Sequence, residues 1–189
     1  MAIVAAPKFN FDTNASRAPY HYRTVFVPSE FDKLVRDCGR ALAKVHKRMS
    51  FDGLVCCGTS GQVLAGALGF HMGVPVVTVR KASESPSSHH GYEVTGITKG
   101  RVLFFDDLIS SGDTLRNVIK KIDRDTQLEL VGAFLYQTKY RYVLDRHDMP
   151  PLPVYTLEAT LNGDYPGAPA LWPLSFPVRV GMWLRRLFG

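Results

Sequence analysis

Apolar residues recur along this chain with two different periods, and the switches between them outline its elements. From Ser29 to Met49 the side chains of Phe31, Leu34, Val35, Cys38, Leu42, Val45 and Met49 return every three or four positions, which predicts an amphipathic helix. Ser29 with Asp32 three residues on has the spacing of a capping box. The run FDGLVCC (51–57) then ends at Gly58 and reads as a buried strand. Small residues in SGQVLAGALGFHMG (60–73) suit a helix packed closely on a sheet, and the β-branched VPVVTVR (74–80) predicts the next strand. RVLFF (101–105) predicts another. Leu115, Val118, Ile119 and Ile122 fall on one side of a helix over 113–124, and LELVGAFLYQ (128–137) and PVYTL (153–157) complete the strands.

Strands alternating with helices imply βαβ units, so the expected fold is α/β, a mostly parallel twisted sheet with helices on both faces. Two segments escape the pattern. Residues 81–100 (KASESPSSHHGYEVTGITKG) read as a long loop with room for a short hairpin, and loops of that length are usually functional or mobile. Beyond about residue 158 a stretch rich in Pro, Gly and aromatics reads as an irregular cap. There is no internal repeat, and the 189 residues suit one domain, with a core over about 29–158 and cap segments at 1–28 and 158–189.

Composition narrows the chemistry only slightly. A formal charge of +6 points to an anionic partner, which nucleic acid, a membrane surface or a phosphorylated small molecule would satisfy equally. Cys38, Cys56 and Cys57 form neither a disulfide framework nor a zinc ligand set, and read as small buried thiols in a reducing cytoplasm. The N-terminus lacks the basic and apolar regions of a signal peptide, and no apolar run reaches the ~20 residues of a membrane span.

The chemistry is concentrated in RVLFFDDLISSGDTLR (101–116). A strand delivers Asp106 and Asp107, side by side, to the edge of the sheet where α/β folds bind ligands. Two adjacent carboxylates repel each other unless a cation or hydroxyl groups lie between them. The turn that follows opens a helix, so backbone N–H groups of Ser110, Ser111, Gly112 and Asp113 point outward at its positive end. Ser110, Ser111 and Thr114 add hydroxyls, and Gly112 permits a left-handed turn. That half suits a monophosphate. The carboxylates suit a vicinal diol or a hydrated Mg²⁺ beside phosphate oxygens. A ribose 5-phosphate satisfies both halves. Helix capping alone would account for one acid or one serine, not for the whole cluster.

VLFFDDLISSGDT resembles the signature of type I phosphoribosyltransferases, which bind 5-phosphoribosyl-1-diphosphate (PRPP), and every position fits. No Gly-Lys-Ser/Thr follows a glycine-rich run, which excludes a Walker-type phosphate loop. FDGLVCCGTSGQVLAGALGFHMGVPVVTVRK is similar to the family's stretch from the pyrophosphate loop onward. The likeness covers about residues 50–137. It implies that Asp106 and Asp107 orient the ribose and share in holding Mg²⁺, and that Ser110, Ser111, Gly112, Asp113 and Thr114 hold the 5-phosphate. It further implies that Gly58, Thr59, Ser60 and Gly61, with Arg80 and Lys81, hold the diphosphate. Family members often carry Arg or Lys inside the pyrophosphate loop, where this chain has Thr-Ser.

By the same likeness residues 81–100 are a hood that closes over the reacting centre and excludes water. SSHHGYEV is similar to the Lys-x-His-Gly segment of orotate phosphoribosyltransferases, but Ser88 stands where those enzymes have a catalytic Lys. His89 and His90 are the hood's remaining candidates for binding or protonating the diphosphate, or two exposed loop histidines. The implied reaction is Mg-dependent transfer of the phosphoribosyl group from PRPP to a nucleobase with release of diphosphate, by a homodimer. The alternative is a catalytically silent PRPP- or nucleotide-binding regulatory protein. Nucleic-acid binding is not expected. In the tail VRVGMWLRRLFG, a terminal helix packed on the core or on a partner subunit outweighs a lipid contact, since only three charges are involved.

Overall fold

The computed structural model describes residues 28–81, 93–109, 112–137 and 152–165. Helix α1 (Pro28–Arg48) starts on a proline, whose missing N–H would be unpaired in the first turn anyway. Asp32 pairs with Arg36 one turn on. Strand β1 (Gly53–Cys57) leads through Gly58 into α2 (Thr59–Met72), and β2 (Val76–Val79) follows. Next come β3 (Val94–Thr95), β4 (Lys99–Asp106) and α3 (Asp113–Asp125). Strands β5 (Gln127–Leu135) and β6 (Val154–Thr156) and helix α4 (Leu157–Asn162) complete the order.

The six strands form one sheet in the order β3-β2-β1-β4-β5-β6. All neighbours are parallel except β2 and β3. From β1 the chain winds outward to β2 and later returns to place β4 on β1's other side. The strand order therefore reverses between β1 and β4, and ligands in such sheets bind beyond the carboxyl ends of the strands at that point. Past β1 come Gly58 and the first turn of α2 with Thr59, Ser60 and Gly61, and past Asp106, the last residue of β4, come Asp107 and, before α3, Gly112.

Alternation along β4 splits the core into two layers. Leu103 and Phe105 pack with Cys38, Leu42 and Val45 of α1 and Leu64 and Leu68 of α2. Val102 and Phe104 face the other way, onto Leu115, Val118 and Ile122 of α3. Cys38, Cys56 and Cys57 are buried and in no disulfide, as their apolar setting implied. Burial pushes the Cys56 thiol up to about 12, helped by the charge of Asp106, so it stays an inert thiol.

The fold departs from expectation in two places. The loop expected over 81–100 gives way to structure after residue 93, because Val79 pairs with Val94 and Thr78 with Thr95, and β4 begins at Lys99. A two-residue strand has no period to read, and Lys99 and Gly100 carry no apolar signal although they pair with Gln127 and Leu128. The second departure is α4, a helix where an irregular cap was expected to begin. Six residues are too few for a 3.6-residue period to show. Lys44 of α1 donates to the Leu161 carbonyl at 2.9 Å and Arg48 lies 3.5 Å over the Tyr165 ring, which fixes this helix on α1. The cap segment before residue 28, the tail after 165 and most of the hood (82–92) lie outside the described residues.

Candidate functional site

The carboxylates are buried. Asp106 retains 5% and Asp107 8% of their accessible surface, although both lie at the sheet's open end. Asp106 is the last residue of β4 and pairs with Leu135. The backbone beyond it stays attached to the sheet, since Tyr136 and Gln137 donate to the carbonyls of Asp106 and Asp107 at 3.1 and 3.0 Å. Two side chains that would otherwise point into water are thus held against protein.

Hydroxyl and amide donors lie between the two charges, as their adjacency requires. Ser60 Oγ donates to Asp106 Oδ1 at 3.0 Å and stands 3.5 Å from Asp107 Oδ1. The backbone N–H of Asp107 donates to Asp106 Oδ1, and that of Leu108 to Asp107 Oδ1, each at 2.9 Å. These donors only partly offset the burial. Desolvation first, and the neighbouring Asp107 second, push Asp106 up to about 7, so near neutrality the pair shares a proton.

The first turn of α2 comes to the carboxylates through Ser60 and Gly61. A Cβ on Gly61 would meet the Phe105 carbonyl at 2.9 Å and Cys56 Cβ at 3.1 Å, so only glycine lets the start of α2 approach β4 this closely. Tyr136, stacked on Phe105 at a centroid distance of 5.5 Å, donates its hydroxyl to the Ser60 carbonyl at 3.2 Å. Thr59, the first residue of α2, is exposed. Gly58 has φ 87°, and a Cβ there would lie 2.6 Å from Cε and 3.1 Å from Nζ of Lys81. Lys81 therefore supplies at the loop the cation its own sequence lacks. Arg80, half-buried, precedes it just after β2.

On the other side of the acids, Gly112 takes the left-handed conformation, φ 81° and ψ 0°, that starts α3. Asp113, exposed, pairs with Arg116, and Thr114 is half-buried. Ser110, Ser111, His89 and His90 lie outside the described residues. The structure thus brings together Gly58, Thr59, Ser60, Gly61 and Lys81 with Asp106, Asp107, Gly112, Asp113 and Thr114 around the switch point. Arg116 was missed by sequence reasoning. Its guanidinium would stand 3.4 Å from a Cβ on Gly112, a cation beside the turn, and its spacing of three from Asp113 on one helix was the available signal.

Among the described residues no group of three or more His, Cys, Asp and Glu side chains is placed to hold a metal ion. Two buried acids sharing a proton still suit a divalent cation whose remaining ligands come from substrate phosphates and water. No described helix is long and apolar enough to cross a membrane.

A parallel sheet of this order, with two buried acids at its reversal point, is similar in fold to type I phosphoribosyltransferases, as comparisons with known proteins show. No family model matches the chain. The adenine phosphoribosyltransferase of Parvibaculum lavamentivorans is 30% identical over 111 residues, 51% of this chain and 63% of that protein. The adenine phosphoribosyltransferase structure from Saccharomyces cerevisiae, complexed with an imino-altritol bisphosphate and adenine, matches with a TM-score of 0.55. Its identity is 21%, over 71% of this chain and 82% of that one. The orotate phosphoribosyltransferase of Francisella tularensis has the same fold, at a TM-score of 0.52 and 15% identity over 70% of this chain and 68% of that one. The chain thus has the fold of type I phosphoribosyltransferases and resembles adenine phosphoribosyltransferases in sequence. It spans 63% to 68% of the length of the curated adenine phosphoribosyltransferases it matches.

Proposed function

We propose that this chain transfers the 5-phosphoribosyl group of PRPP to a ring nitrogen of a nucleobase and releases diphosphate. The observation that carries the reading is the pair Asp106 and Asp107, buried at the reversal point between β1 and β4 and bridged by Ser60. Two acids kept out of water at a cost in stability are poorly explained by packing and well explained by a polyhydroxyl ligand.

The roles follow from position. Asp106 and Asp107 accept hydrogen bonds from the ribose 2- and 3-hydroxyls. Backbone N–H groups at the start of α3, with Arg116 beside them, take the 5-phosphate. Gly58–Gly61 and Lys81 take the diphosphate, whose departure develops negative charge that fixed donors stabilise. A Mg²⁺ ion bound with PRPP, and held in part by Asp106 and Asp107, would neutralise charge on the leaving group. The formal charge of +6 favours capture of so anionic a substrate. Since the similar proteins include adenine phosphoribosyltransferases, adenine is the first acceptor to try.

The test is diphosphate release from PRPP and Mg²⁺ with adenine, other purines, pyrimidines, orotate and nicotinamide offered in turn. Release that depends on one base, and is lost in Asp107→Ala, is expected. PRPP binding by calorimetry with no release across the panel would replace this reading with the silent binding protein.

A further inference from the structure

Lys121 is a buried cation to which the proposed reaction assigns no part. It keeps 8% of its accessible surface, on the third turn of α3, and sits one helical step from the apolar face that buries Val118 and Ile122. Its Nζ donates to the Arg80 carbonyl at 2.9 Å and stands 3.4 Å from Glu93 Oε1. One turn earlier, Asn117 Nδ2 donates to the same carbonyl, also at 2.9 Å. A carbonyl oxygen has two lone pairs, so both are engaged by α3. The Arg80 N–H is used too, donating to the Glu93 carbonyl at 3.0 Å. Both backbone groups of Arg80 are therefore gripped, and the next residue is the one lying over Gly58. Glu93 also pairs with Arg124, so both of these ion pairs of Glu93 run to α3.

Holding an ammonium out of water costs several kcal/mol unless its partners are well placed, and a Met or Leu would fill the same volume without that cost. What the ammonium adds is direction. We infer that Lys121 and Asn117 are positioning residues of the diphosphate subsite, fixing the Arg80 carbonyl so that Lys81 is held over the Gly58 loop. This rests on the functional reading above. Helix α3 begins at the turn assigned to the 5-phosphate, and Lys121 lies about 12 Å further along it at 1.5 Å per residue. One rigid element thus sets the distance between the two phosphate-binding ends of the site.

The experiment is calorimetry of the full chain with two separate probes, Mg-diphosphate and ribose 5-phosphate. Lys121→Met and Asn117→Ala should each weaken diphosphate binding about tenfold, the loss of one charge-assisted or one neutral hydrogen bond's worth of order. Ribose 5-phosphate affinity should stay within about twofold, because its donors do not pass through Arg80. In a Lys81→Ala background neither substitution should weaken diphosphate further. Equal weakening of both probes, an unchanged diphosphate affinity, or a full additional loss on top of Lys81→Ala would each overturn the inference. Should Lys121→Met melt the fold, Asn117→Ala, which removes one half-buried donor, carries the same comparison. A wild-type chain that binds neither probe overturns the functional reading and this inference with it. A wild-type chain that binds both while the variants behave like it overturns this inference alone.

Discussion

Asp106 couples the site to the stability of the fold, and Asp106→Asn isolates that coupling. Its proton affinity rises from an ordinary 3.8 to about 7, with burial the larger cause and the charge of Asp107 the second. Between those values the native state holds a proton that the unfolded chain has released. Stability therefore falls as pH climbs from about 4 to about 7, and this contribution is flat outside that window. The interval spans about three tenfold steps in proton affinity at ~1.4 kcal/mol each, so the ionised pair costs the fold about 4 kcal/mol at pH 8. Asn keeps the oxygen that accepts from Ser60 and from the Asp107 amide, and it has no proton to lose. Urea unfolding followed by far-ultraviolet circular dichroism from pH 4.5 to 8 should show a falling midpoint in the wild type and a flat one in the variant. At pH 8 the variant should be the more stable by a few kcal/mol. Asp107→Asn removes the neighbouring charge but leaves burial, the larger cause, and should leave part of the slope. A wild-type midpoint that does not fall over this range, or an Asp106→Asn protein less stable than wild type at pH 8, would refute the reasoning.

Other expectations follow from single contacts. Gly61→Ala drives a Cβ to 2.9 Å from the Phe105 carbonyl, so it should cost about 1–3 kcal/mol in thermal unfolding and abolish PRPP binding by pushing α2 off β4. Gly112→Val forces a β-branched residue into φ 81° and should lose about 2 kcal/mol of stability together with affinity for ribose 5-phosphate, read by calorimetry. Ser60→Ala removes a donor that favours the ionised Asp106, so the fall in stability should still begin near pH 4 but extend to higher pH, with a loss of about 1–2 kcal/mol at pH 8.

The sheet and the approach to the site were legible because β1 and the later parts of β4 and β5 are buried on both faces and read as apolar runs, while β2 is marked by its β-branched residues. Asp106 and Asp107 stood out for the same reason, as charges that end such a run. What the sequence did not show are contacts between distant residues. Nothing local marks Ser60 as the donor to an acid 46 positions away, beyond its place in a glycine-flanked turn. Lys81 likewise meets Gly58 only because β2 lies beside β1 in parallel register. The segment Gly58–Gly61 looked short of cations for want of that pairing. Lys121 carried a faint signal, a cation three residues from Val118 on the buried side of α3, but a long side chain at such a position usually reaches solvent.

The central claim is that Asp106 and Asp107 serve PRPP. Diphosphate release with PRPP, Mg²⁺ and adenine, measured on the wild type and on Asp107→Ala at matched thermal stability, tests it most directly. Base-dependent release by the wild type is expected, with its loss, by at least about a hundredfold, in the variant. Release that survives Asp107→Ala unchanged would contradict it.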